Sequence, residues 1–182
     1  MPIARFAWFL AAAFFTMHGA VDAATITTQS TPIDGKQCVN ISNDRETGDT
    51  VKRCPGIGGY SLLVLSSDDR ASLSVITNNK AALPLNFWDM VSPTFSTLGP
   101  KVEWQVASHG GTKTPVALVV RLNTVDQADV AAPRPVSFIV VARIQPGQAC
   151  VIGKVPAQQS NAAQMARAMA TARDTKCLPQ IR

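Results

Sequence analysis

Four cysteines, Cys38, Cys54, Cys150 and Cys177, follow an N-terminal export signal, and this combination constrains the chain more than any other feature. An even thiol count in an exported protein reads as disulfides, and four cysteines allow three connectivities. Sequence-local pairing, Cys38–Cys54 and Cys150–Cys177, is expected, because each pair brackets one compact unit. Each bridge would close a loop of roughly 15 to 30 residues, contributing about 3 kcal/mol through loop entropy. A metal site is the alternative use of thiols. Zinc sites want closely spaced pairs of ligands, whereas here no two thiols are near in sequence and only His109 survives processing. No metal and no cofactor is expected.

The export reading rests on Met1 to Ala24. Arg5 is the one charge of a short basic opening, Phe6 to Phe15 is an unbroken apolar run, and Gly19 to Ala24 is a stretch of mostly small residues. That order is a secretory signal. The run is about half of the roughly 20 residues that cross a bilayer as a helix, so no stable membrane insertion is expected after processing. Cleavage is expected after Ala23. The expected organisation is a signal peptide over 1–23, a flexible leader over 24–36 and a single globular domain over 37–182, exported to the periplasm or the outside medium. Processing removes Arg5 and Asp22 together and leaves the net charge at +5. The positive residues are dispersed, with no run longer than Lys52-Arg53, so nucleic acid is not an expected partner.

β-Branched and alternating segments set the expected fold. Gln37 to Ile41, Thr50 to Cys54, Tyr60 to Leu65, Arg70 to Ile76, Val102 to Ala107, Pro115 to Leu122 and Val136 to Ile144 read as strands divided by turn residues. Ser160 is the expected N-cap of a helix over Asn161 to about Arg173, with Ala162, Met165, Ala166, Met169 and Ala172 on its apolar face. The fold class is α+β: one mostly antiparallel sheet with a C-terminal helix packed on it, stapled by disulfides.

The motifs that could carry chemistry read as structural. Pro55 to Gly59 is glycine-rich but lacks the lysine of a phosphate loop and runs into a strand, so it reads as a tight turn. Asp68-Asp69-Arg70 has no spaced oxygen ladder for calcium and reads as a hairpin tip with a local salt bridge. His109 has no activated nucleophile to serve. No catalytic residue is expected, which leaves a non-catalytic binding or inhibitor-type protein, with an envelope assembly accessory as the alternative and an enzyme with a dispersed site behind both. Asn40-Ile41-Ser42 matches a glycosylation sequon.

One segment fits none of this. Between Ile76 and Val102 lie Leu83, Leu85, Phe87, Trp88, Met90, Phe95 and Leu98, and loops this long are usually functional or hide structure. The aromatic pair is either a lid on the core or a patch presented to a partner. The second reading makes Phe87 and Trp88 the expected partner-binding residues.

Arg53-Cys54-Pro55-Gly56-Ile57-Gly58-Gly59-Tyr60, then Asp68-Asp69-Arg70, then Val102-Glu103-Trp104 resembles a family of small exported proteobacterial proteins of unknown function. Its members also close with an Ala-rich helix and a late cysteine, as Asn161 to Cys177 does here, and the resemblance spans most of the chain after the signal. It implies an envelope or secreted location. Periplasmic lysozyme inhibitors are a second comparison, being small, disulfide-bearing and β-rich. Gly56-Ile57-Gly58-Gly59-Tyr60 lacks the serine that those proteins carry in the matching loop.

Overall fold

The computed structural model describes residues 25–129 and 131–181. The signal read over residues 1–23 lies outside them.

Ten strands form two antiparallel sheets of five. The long sheet holds β1 (Thr25–Pro32), β7 (Ser96–His109), β8 (Thr112–Asp126), β9 (Arg134–Gln145) and β10 (Gln148–Pro156), in that order. The short sheet holds β2 (Val39–Asn43), β3 (Thr50–Pro55), β4 (Ser61–Ser67), β5 (Arg70–Ile76) and β6 (Ala82–Pro84), also in that order. Among the described residues, two α-helices complete the fold, α1 (Phe87–Met90) and α2 (Ala162–Thr171). Mostly antiparallel sheet with one C-terminal helix is therefore the architecture, but the single sheet expected from the sequence is two.

Alternation along the strands produces three layers. Val102, Trp104 and Val106 on β7, Leu118, Val120 and Leu122 on β8, and Val140, Ala142 and Ile144 on β9 all face inward. They pack against Leu62, Leu73, Val75 and Leu83 of the short sheet, forming one core between the sheets. The opposite face of the long sheet carries Ala117, Val119, Val141, Ile152 and Val155, and α2 lies over it through Ala162, Ala166 and Ala170. Small side chains on α2 let it lie close. Gly153 has no room for a Cβ because the Met169 side chain occupies that space. The helix is one residue shorter at its start than expected, capped at Asn161 rather than Ser160, and Met165 is exposed while Ala170 is buried.

Both disulfides pair as expected, Cys38–Cys54 and Cys150–Cys177. The second ties the chain after α2 to β10. Leu178 then donates its amide to the Val151 carbonyl, and Ile181 donates to the Asp89 carbonyl at the end of α1. Arg143 holds the chain just past the C-terminus of α2, donating to the Ala172 and Arg173 carbonyls at 3.0 and 3.2 Å.

The leader expected over 24–36 is a correction. Residues 25–32 are strand β1, in register with β7 from Thr25 opposite Ser108 to Pro32 opposite Lys101. The buried Trp104 indole donates to Thr31 Oγ1 at 2.9 Å and pins the strand. The reading failed because β1 is exposed along most of its length and carries no apolar alternation; β7 supplies its order.

Candidate interaction surface

The sheets do not overlap fully. β1 lies against β3, and β10 lies near β6. β2 therefore sits outside the sandwich, at the edge of the short sheet. All five of its residues are exposed, including Val39 at 64 % and Ile41 at 54 %. Two isolated apolar side chains in water would need no explanation. Here they sit on one strand that, among the described residues, is hydrogen-bonded only to β3, which leaves the other edge of its backbone without a partner strand there. A bulge at Ile41 breaks the register between Asn40 and Ser42.

Local chemistry holds this hairpin in place. Cys38–Cys54 staples its base to a cysteine that is buried in the core. At its tip, Asp44 accepts hydrogen bonds from the amides of Glu46 and Thr47 at 2.8 and 3.3 Å. Those donors hold the Asp44 carboxyl below the ordinary carboxylate range. Gly48 takes φ +78°, where a side chain would be strained. Asp49 accepts from Ser67 Oγ at 3.1 Å and from the Asp68 amide at 3.3 Å, which ties the tip to the neighbouring β4–β5 turn.

Phe87 and Trp88, the residues expected to bind a partner, are at the opposite edge. Phe87 is fully buried in the core between the sheets, and its amide donates to Ser72 Oγ at 2.9 Å. A side chain without exposed area cannot anchor a partner, so that expectation is corrected for Phe87. Leu83 and Leu85 are buried with it, and Trp88, Met90 and Leu98 are half-buried. The segment is a lid that closes the core beside β5. Only Phe95 of its large apolar residues is mostly exposed, at 57 %.

The remaining motifs lie in turns. Asp68 pairs with Arg70 at 3.2 Å across the β4–β5 turn. His109 is exposed at the β7–β8 turn, opposite Thr112, and the turn is made by Gly110 and Gly111 at positive φ. Gly58 takes φ +61°, and the Lys113 carbonyl occupies the space its Cβ would need, so the glycine loop docks on the start of β8. Among the described residues, no three His, Cys, Asp or Glu side chains converge as metal ligands would.

Sequence reasoning missed the exposed face of β2, although it placed a strand there. The alternation of Val39 and Ile41 gives no sign of which sheet margin overhangs. Compared with models of known protein families, with curated proteins and with solved structures, the chain matches none.

Proposed function

We propose that this is an exported, non-catalytic binding protein that receives an extended segment of a partner protein along β2. The observation that carries the reading is the free backbone edge of β2, uncharged and flanked by exposed Val39 and Ile41. Soluble proteins usually protect such edges with lysine, proline, a bulge or a covering segment. β2 has the bulge and neither of those residues. Strand addition to an open edge supplies main-chain hydrogen bonds, and the side chains on either side supply selectivity. The Cys38–Cys54 staple lowers the ordering cost at the moment of binding, because the hairpin is already shaped. Two disulfides agree with an exported protein. Dispersed titratable groups, with His109 and the Asp68-Asp69 pair on separate exposed turns, support a non-catalytic role.

Photo-crosslinking tests the reading. A photoreactive side chain placed at Asn40, with the same group at Ala168 on the exposed side of α2 as reference, is exposed to the exported fraction of the host. The expected result is one discrete protein adduct at position 40, absent at 168 and lost in Ile41→Lys. Because Ile41 is exposed, the lysine variant is expected to keep its melting temperature. Equal adducts at both positions, or an adduct that survives Ile41→Lys, would overturn the proposal.

A further inference from the structure

On the far side of the molecule, the outer face of the long sheet is longer than the helix that covers it. α2 has 10 residues and runs about 15 Å, whereas the 15 residues of β8 extend for about 50 Å. Beyond Ala162 and Ala163, the helix leaves Arg121, Asn123 and Ser137 of the outer face uncovered. The irregularity in β7 falls at the same place. Leu98 pairs with Leu122 and Val102 with Val120, so Gly99, Pro100 and Lys101 stand opposite the single residue Arg121. The bulge opens a half-enclosed cavity of about 240 Å³ beside the first turn of α2. Val119, Ile139 and Pro100 give it apolar walls, and Lys101, Arg121 and Glu103 give it charge.

The cavity lining has two cations, Lys101 and Arg121, to one carboxylate, Glu103, on which the Lys101 charge also acts. Glu103 is already matched: Arg167 Nε and Nη2 donate to its two carboxylate oxygens, both at 2.9 Å. Among the described residues, Lys101 and Arg121 make no salt bridge. Arg121 is also held at the wall. A Cβ on Gly99 would come within 3.1 Å of Arg121 Cβ and 3.8 Å of its Cδ, so the aliphatic stem lies against the glycine. A stem packed along backbone with its guanidinium free is the arrangement in which arginine loses least freedom on meeting a carboxylate.

We infer that this cavity binds a small organic anion: one carboxylate held by Arg121 and Lys101, with a short apolar body against Val119 and Ile139. The volume sets the size. Cavities for drug-sized ligands run from about 300 to 1,000 Å³, so about 240 Å³ suits a body of a few carbons. The chemistry fits a free short-chain acid or the carboxylate of an apolar C-terminal residue. This site lies on the opposite face from β2 and does not depend on the strand-addition reading.

Amide NMR titration of the processed protein is the test, with hexanoate and N-acetyl-leucine as the two probes. Hexan-1-ol lacks the charge and acetate lacks the body. Saturable shifts confined to Val119, Ile139, Arg121 and Ala163 are expected with at least one probe, and the tighter one identifies the source of the carboxylate. Arg121→Gln, an exposed substitution that should leave the fold intact, is expected to weaken binding about tenfold or more. Hexanol and acetate are each expected to bind at least tenfold more weakly than the better probe. Shifts that never saturate, acetate binding as tightly as hexanoate (an adventitious ion only), or unchanged affinity in a folded Arg121→Gln would each overturn the inference.

Discussion

Phe87 has no exposed area, while Trp88, one residue on, is only half-buried. Phe87→Ala should cost about 3–5 kcal/mol in urea unfolding, as fully buried aromatics do, and Trp88→Ala clearly less. Equal losses would mean that the lid is packed differently. A second residue-scale expectation concerns pH. The Arg167 hydrogen bonds, then its charge, hold Glu103 below its ordinary value of 4.5. A carboxylate whose folded pKa is depressed adds stability above its unfolded pKa and loses it as pH falls through the folded one. Acid titration of stability should therefore steepen below about pH 4.5, and Arg167→Gln should flatten that limb while leaving the slope near neutrality unchanged. An identical acid limb in the variant would remove the pair from the account. In the sequence, Glu103 and Arg167 gave no sign of each other, being 64 positions apart. The hairpin-tip pair Asp68 and Arg70 was readable because its partners are two residues apart.

At the scale of elements, α2 stays on the sheet because its contact stripe is alanine. Ala166 is fully buried over Ala117, Val119 and Val141 in the same cluster. Ala166→Leu should lift the helix and cost about 1–3 kcal/mol by overpacking, whereas Ala168→Leu, on the exposed side, should change thermal stability little. If both variants melt together, the helix does not lie as close as the structure has it. The amphipathic period of α2 was plain in the sequence, as were the alternating strands β4, β5, β8 and β9. Three strands were not. β1 is a polar edge strand, β6 has three residues, and β10 carries Gly153 and a register shift in its middle. β7 was read at half its length because Gly99-Pro100 looks like a terminator. In the fold it is a bulge, where a missing amide and an irregular register are tolerated.

For the whole molecule, the core between the sheets joins them, while β2 hangs outside it and β3 reaches in through Cys54. Replacing Cys38 and Cys54 with serine should loosen the hairpin locally. Amide hydrogen exchange should accelerate along β2, with the amides of β8 and β9 exchanging as slowly as before. Acceleration across both sheets would instead mean that the staple supports the core itself. Cys54 is buried among core residues, so its serine variant is best compared with a Cys54→Ala, Cys38→Ala pair that buries no hydroxyl.

What the amino-acid sequence determined by itself was local: where chain segments alternate, where turns must fall, which helix has an apolar stripe, and which cysteines are near enough to pair. Those properties depend on side-chain period and short spacing, and they survive without knowledge of partners. Tertiary structure decided that the strands divide into two sheets, that Phe87 is core while Val39 and Ile41 are exposed, and that Arg121 faces a cavity beside a bulge. Exposure belongs to a residue's neighbours rather than to the residue. Strand pairing and sheet offset bring those neighbours from tens of positions away, and no local pattern carries that information.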